Sequence, residues 1–232
     1  MTGIGLFGAS GRMGKAIAEV LADRDDVSIV EDRCDVYIDF SAPDGLDHHL
    51  DTAVSAGKPI VIGTTGLGEE HRRMIERAAS EVAVLEAANM SLGVNLIAHL
   101  VRETAARLGE DWDVEIVEMH HRHKVDAPSG TALLLGRAAA DGRGVALDSV
   151  SDRGRDGITG DRGSGRIGFA SLRGGSVAGD HQVIFAGEDE RVEIGHRAES
   201  RAIFARGAVR AALWLVDRPP GRYAMADVLG LR

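Results

Sequence analysis

The 232-residue sequence predicts an α/β protein: a shortened, Rossmann-like parallel sheet at the N-terminus, then an α+β part with a mostly antiparallel sheet. Three observations predict it. The apolar run Ile4-Gly5-Leu6-Phe7 meets a glycine-rich turn, and Ile17, Ala18 and Leu21 then recur at helical spacing. Strand-like and helix-like segments alternate from there to Met90. From Ile167 onward, alternating stretches separated by glycine-containing turns read as strands with no helix between them.

Composition sets the outer limits. Hydrophobic residues make up 44% of the chain and aromatics only 4%, so the core must rest on Val, Leu, Ile and Ala. A net charge of −9 argues against nucleic acid as a partner, because phosphate binding needs a basic surface. Cys34 is the only cysteine, so no intrachain disulfide can form, which fits a reducing compartment. No apolar run approaches the length that spans a bilayer, and the first residues carry no signal-peptide pattern. A cytoplasmic protein with no membrane contact is the expectation.

The opening turn has the spacing Gly-x-x-Gly-x-x-Gly, at Gly8, Gly11 and Gly14. Glycines let a backbone approach a pyrophosphate, and the following helix start offers N–H groups and positive dipole. A plain strand–turn–helix with glycines kept for packing is the bland alternative. Residues 27–30 read as a second strand ending in Glu31-Asp32-Arg33. An acid there can hold an adenosine ribose and an arginine a 2′-phosphate; a solvated charged turn explains them equally well. The next strand, residues 35–40, starts too soon for a standard crossover of about a dozen residues. Either a helix and a strand are missing, or these two strands are not parallel neighbours.

From Ser41 the alternation is regular: a helix to about residue 56, a strand at 58–62, a charged helix at 69–80, a strand at 82–85. Three strands end in small polar clusters, Phe40-Ser41, Gly63-Thr64-Thr65 and Ala88-Asn89. Carboxyl ends of parallel strands line the ligand crevice. Small residues there leave room for a flat cofactor ring, and hydroxyl and amide groups can orient a carboxamide. A helix follows from Ser91, with Leu92, Leu96, Leu100 and Leu108 along one face and His99 packed beside it.

Residues 114–118 alternate as a strand and deliver the densest chemistry in the chain: Glu118-Met119-His120-His121-Arg122-His123-Lys124-Val125-Asp126-Ala127-Pro128-Ser129-Gly130-Thr131. The Pro-Ser-Gly-Thr step starts a helix to about residue 140 and builds an anion-accepting terminus beside Lys124. A histidine near working pH and a lysine that fixes or protonates an anion make an economical acid/base pair. With a nicotinamide site, they imply hydride transfer to a carboxylate-bearing substrate. His120, His121 and His123 invite a metal reading, but no further ligands at zinc spacing accompany them, so no metal is expected. The glycine- and charge-rich segment 152–166 reads either as a lid or as a long hairpin connection. Strands follow at 167–172, 176–185 and 191–197, with Gly174-Gly175 and Gly187-Glu188-Asp189 as hairpin turns. A last helix spans about 202–215, and Pro219-Pro220-Gly221 stops the chain before a short apolar tail.

The segment from Glu118 to Ala132, the Gly8 turn, Ile62-Gly63-Thr64-Thr65-Gly66, residues 87–95 and residues 165–173 closely resemble the dihydrodipicolinate reductase family. The segment from Ser200-Arg201 through Trp214 matches as well, so the resemblance covers nearly the whole chain. It implies NADH- or NADPH-dependent reduction of a cyclic dicarboxylate to tetrahydrodipicolinate, with hydride delivered to C4 of the ring, in lysine and diaminopimelate biosynthesis. His120 would be the proton donor/acceptor and Lys124 the second catalytic proton donor. His121, Ser129, Gly130 and Thr131 would hold the substrate carboxylates, with Arg201 near them. Gly8, Ala9, Ser10, Gly11, Arg12, Met13, Phe40, Ser41, Gly63, Thr64, Thr65, Ala87, Ala88, Asn89 and Met90 would bind the cofactor. The resemblance also implies a homotetramer built through the sheet of the second domain. Residues 1–90 and 202–232 would form the dinucleotide-binding domain, and 91–201 the substrate-binding and oligomerisation domain. A non-catalytic NAD(P)-sensing protein is the alternative; it would not need the histidine–lysine array. The region from Glu31 to Asp35 is shorter than the family pattern, so the choice between NADH and NADPH stays open.

Overall fold

The computed structural model describes residues 1–22 and 24–231. It divides into unit 1, residues 1–92 with 201–232, and unit 2, Gly93–Ser200.

Unit 1 holds a six-stranded parallel sheet. Its strands are β1 (Thr2–Phe7), β2 (Val27–Ile29), β3 (Val36–Asp39), β4 (Ile60–Ile62), β5 (Ala83–Glu86) and β11 (Gly221–Tyr223). They lie in the order β11-β5-β4-β3-β1-β2. Helices α1 (Arg12–Leu21), α7 (Ala202–Leu215) and α8 (Met225–Leu229) pack with Ile4, Val36, Ile38, Val61 and Leu85 into one apolar layer. Helices α2 (Leu46–Ala56) and α3 (Glu69–Ala79) bury Leu46, Leu50 and Ile75 with Ile60, Ile62 and Val84 in another. A sheet buried on both faces explains why β4 reads as an unbroken apolar run. Pro219-Pro220-Gly221 does not end the regular structure, as the sequence suggested. It leads into β11, which adds a sixth strand beside β5.

The short link between the second and third strands has a geometric answer. β2 and β3 are not neighbours; each pairs in parallel with β1, on opposite sides. They are also offset along it. β2 spans Thr2 to Ile4, whereas β3 spans Ile4 to Phe7. The chain leaves β2 and enters β3 at the same height, so it only has to cross β1, not return along the sheet. Gly3 and Gly5 permit that crossing. A Cβ on Gly3 would lie 2.9 Å from Val30, and one on Gly5 would lie 2.6 Å from Tyr37 and 3.1 Å from the Cys34 sulfur. The Asp35 carboxylate accepts the Gly3 N–H at 2.8 Å, and the Asp35 N–H donates to the Gly3 carbonyl at 2.7 Å.

Unit 2 holds a five-stranded sheet of β6 (Asp113–His120), β7 (Ser151–Asp152), β8 (Ile167–Arg173), β9 (Gly179–Ala186) and β10 (Arg191–Ala198), in the order β10-β9-β6-β8-β7. It is mixed: β9 runs antiparallel to β6 and β10, whereas β8 runs parallel to β6 and β7. Helices α4 (Leu92–Leu108), α5 (Gly130–Gly142) and α6 (Leu147–Val150) cover one face and bury Val114, Ile116, Leu135, Phe169 and Val183. Two expectations change. α4 buries Val94, Ile97, Val101 and Ala105, leaving Leu96 and Leu100 exposed, because the helix is apolar on more than one face. Gly174-Gly175 is not a hairpin turn, because β6 lies between β8 and β9. The segment instead passes over the end of β6. There the Gly174 N–H donates to the His120 carbonyl, and the His121 and Arg122 N–H groups donate to the carbonyls of Val177 and Gly175. The turn at 187–189 is a true hairpin, closed by the Gly187 N–H on the Glu190 carbonyl.

Candidate active site

In unit 1 the proposed cofactor residues converge. Because β5, β4, β3 and β1 are adjacent and parallel, the segments after them share the carboxyl edge of one sheet. Those segments hold the Gly8 turn, Phe40-Ser41, Gly63-Thr64-Thr65 and Ala87 to Met90. Packing between them is close: a Cβ on Gly8 would lie 2.5 Å from the Phe40 carbonyl oxygen, and one on Gly63 would lie 2.2 Å from the Phe40 ring. Gly11 caps α1 and has no side chain of its own to take up the first-turn N–H groups. The edge therefore fits a dinucleotide, with donors for a pyrophosphate at α1 and small residues at the neighbouring strand ends. Glu31, Asp32 and Arg33 are exposed and lie on the crossing beyond β2, with Arg33 at φ 55°.

In unit 2 the strand alternation of β6 turns Glu118 and His120 to the helix-covered face. Glu118 is 1% exposed, and five atoms hold its carboxylate. Arg173 donates from both terminal nitrogens at 2.8 Å, His120 Nδ1 lies 2.5 Å away, and the Ser129 N–H donates at 3.3 Å; a Ser171 hydrogen bond is the fifth. Burial pushes this carboxyl up, but Arg173, then His120 and Ser171, more than reverse that and hold it at about 2. An acceptor on Nδ1 fixes the His120 ring and directs Nε2 elsewhere. A Cβ on Gly179 would lie 3.0 Å from Nε2, so the absence of a side chain at 179 keeps that nitrogen clear.

His181 stands edge-on to His120, with centroids 5.0 Å apart, and its Nε2 is 3.1 Å from the Ser129 hydroxyl. Burial, then His120, pushes its pKa down to about 4, so it is neutral at physiological pH. The Ser129 hydroxyl also caps α5 by accepting the Ala132 N–H at 3.1 Å. Gly130 follows on the exposed first turn, where an added Cβ would touch nothing within 4 Å. Lys124 pairs with Asp126 at 2.8 Å, which lowers the Asp126 pKa. His121 is half-buried and His123 exposed, with ring centroids 6.3 Å apart.

Thus His120, His121, Lys124, Ser129, Gly130 and Thr131 all lie on one short path from the end of β6 to the start of α5. Arg201 belongs to unit 1, immediately before α7. The residues that sequence reasoning left without a role are Glu118, Arg173, Gly179 and His181. Only register reveals them: β8 sets Arg173 opposite His120, and β9 sets His181 opposite Glu118. The 152–166 segment is tied elsewhere. Arg162 bonds Asp113 at 2.5 Å and Glu115 at 2.9 Å, and Arg155 also bonds Glu115, all at the opposite end of β6 from His120. Five to seven strand steps separate these contacts from His120, about 17–23 Å along the strand. Among the described residues no group of three His, Cys, Asp or Glu side chains is placed to hold a metal ion, and no helix is long and apolar enough to cross a membrane.

Comparison with known proteins decides the family. Residues 24–90 match the family described as dihydrodipicolinate reductase, N-terminus, and residues 93–229 match dihydrodipicolinate reductase, C-terminus. The chain belongs to the dihydrodipicolinate reductase family. A 4-hydroxy-tetrahydrodipicolinate reductase from Zymomonas mobilis is 57% identical over 246 residues, covering 98% of this chain and 97% of the relative. One from Parvibaculum lavamentivorans is 58% identical over 210 residues, covering 90% and 77%. Among solved structures, the dipicolinate-bound dihydrodipicolinate reductase of Paenisporosarcina sp. TG-14 has the same fold, with a TM-score of 0.76, 22% identity and 98% of each chain covered.

Proposed function

We propose that the chain is a 4-hydroxy-tetrahydrodipicolinate reductase that uses NADH or NADPH to reduce a cyclic dicarboxylate to tetrahydrodipicolinate. The observation that carries this reading is the buttressed His120, clamped through Glu118 by Arg173 and followed directly by Lys124 and the α5 terminus. A non-catalytic NAD(P) sensor has no use for such an array, and the family names describe reductases.

When bound, the dihydronicotinamide supplies a hydride. Unit 1 holds the cofactor through Gly8, Ala9, Ser10, Gly11, Arg12 and Met13 at the pyrophosphate end. Phe40, Ser41, Gly63, Thr64, Thr65, Ala87, Ala88, Asn89 and Met90 hold it at the ring end. Unit 2 holds the substrate: His121 and the first turn of α5 at Gly130 and Thr131 take carboxylates, and Ser129 shapes that turn from beneath. Arg201, immediately before α7, is assigned to substrate binding through its cationic side chain. His120, with Nδ1 engaged by Glu118, moves a proton at Nε2, and Lys124 is the second proton donor; over the whole reaction the 4-hydroxyl leaves as water, taking up one net proton, and the hydride replaces it at C4. No resident metal is required. A homotetramer assembles through the face of the unit 2 sheet that its helices leave open, where Leu172 is 51% exposed. A cytoplasmic setting agrees with the single, buried cysteine.

The test is a coupled assay in which an aldolase generates the substrate and oxidation of NADH and NADPH is followed in parallel. His120→Ala and Lys124→Ala should each cut turnover strongly while cofactor still binds. Near wild-type turnover in either variant would remove that residue from the mechanism, and no oxidation by the wild type would remove the reaction.

A further inference from the structure

Unit 1 contains a buried polar cluster of its own. Asp39, the last residue of β3, is fully buried. Its Oδ1 accepts the Ser41 N–H at 2.8 Å, the Ser41 hydroxyl at 2.6 Å and the Thr64 hydroxyl at 3.2 Å. Its Oδ2 lies 3.0 Å from Nδ1 of His49 on α2. The His49 ring stacks on Phe7, the last residue of β1, with centroids 3.9 Å apart and planes 11° apart. The Asp39 carbonyl also accepts the Gly63 N–H at 2.9 Å.

One side chain thereby ties the segment after β3 to the segment after β4, and both to α2. A carboxylate at zero exposure is a costly way to gain stability, since desolvation offsets much of what its partners return. What it secures is geometry: three of its four donors come from Ser41 and Thr64. We propose that Asp39 and His49 are positioning residues for the nicotinamide end of the cofactor, a carboxylate–imidazole clasp that sets the two segments between which the ring lies. The proposal rests on the assignment of Phe40, Ser41, Gly63 and Thr64 to the cofactor. Asp39 acts through Ser41 and Thr64, and His49 acts through Asp39 and Ser41.

His49→Phe keeps the stack on Phe7 and deletes the donor. His49→Asn places an amide donor where Nδ1 stood. The full-length chain is titrated with NADH by fluorescence and with ADP-ribose by calorimetry, and KM for each substrate is taken from the coupled assay. His49→Phe and Asp39→Asn are expected to weaken NADH binding about tenfold, which corresponds to about 1.4 kcal/mol, the scale of one hydrogen bond. ADP-ribose affinity and KM for the dicarboxylate should change less than about threefold, and His49→Asn should recover most of the loss. NADH affinity within twofold of wild type in His49→Phe overturns the proposal, and so does an equal loss for NADH and ADP-ribose, the mark of a loosened domain. His49→Phe decides the matter alone if Asp39→Asn does not fold. A wild type that binds neither ligand would instead overturn the cofactor assignment.

Discussion

Replacing Glu118 with Gln removes one charge from the best-buried ionic cluster of unit 2 and leaves its shape. Arg173 loses a two-pronged carboxylate partner, and His120 loses the ionic acceptor on Nδ1. With its pKa held at about 2 rather than 4.5, the carboxylate stabilises the fold by about 3 kcal/mol at neutral pH. Arg173 is 21% exposed and partly rehydrates, which keeps the loss at the low end of the about 3–5 kcal/mol expected when one partner of a buried pair is removed. The sign fixes the pH window. A depressed carboxyl pKa contributes fully above pH 4.5, and that contribution fades as pH falls towards 2. The stability gap between wild type and Glu118→Gln should narrow from about 3 kcal/mol at pH 7 to about 1.5 kcal/mol at pH 3. Equilibrium urea unfolding measures it, with Trp214→Phe as background so that Trp112 reports unit 2 alone. Turnover should fall about a hundredfold, because the imidazole loses the group that orients it, while NADH affinity holds. A gap of constant size between pH 7 and pH 3, or below about 1 kcal/mol at pH 7, would refute the account of Glu118 as a buried, charged buttress.

Three other outcomes follow from the same geometry. His181 has a pKa lowered to about 4, so its stabilising effect is complete above pH 6.5 and about 3 kcal/mol is lost as pH falls from 6.5 to 4. His181→Gln keeps a polar partner for Ser129 and should flatten that slope in urea titrations; an unchanged slope assigns it to other groups. Gly179→Ala brings a methyl group to 3.0 Å from His120 Nε2 and should lower turnover about tenfold with NADH affinity intact. Unaltered turnover would show that Nε2 works from another direction. Gly207→Ala puts a Cβ 1.7 Å from the Met90 carbonyl oxygen and should destabilise unit 1 by about 2–3 kcal/mol, read from Trp214 fluorescence.

The sequence made the ends of elements legible and left their partners hidden. The Gly8 turn and the Ser129 cap could be placed because turn and cap chemistry is local, decided by residues within a few positions. The His120–Lys124 segment was legible for the same reason. The Glu118–Arg173 pair was not, since it joins residues 55 positions apart through the pairing of β6 with β8. The same blindness made Gly174-Gly175 look like a hairpin: alternation identifies a strand but not its neighbour. On α4, leucine spacing chose Leu96 and Leu100 as the inner face, whereas packing chose Ile97 and Val101. His181 sits in a run of strand residues with nothing local to mark it, and it gains a role only when β9 lies beside β6.

The half-length pairing of β2 also bears on how such a chain can be shortened. A doubly wound sheet normally spends a helix to bring the chain back to the start of its next strand. Here six residues, 30–35, suffice, because the two flanking strands share β1 end to end and Gly3 and Gly5 leave its surface bare for the crossing. That amounts to a recipe for trimming related enzymes: clear two side chains on the central strand, stagger its neighbours by half their length, and the intervening helix can be cut out with the strand order and the ligand-facing edge preserved. The bare strip on β1 also predicts which trimmed relatives would collapse, namely those that keep a branched side chain at either glycine position.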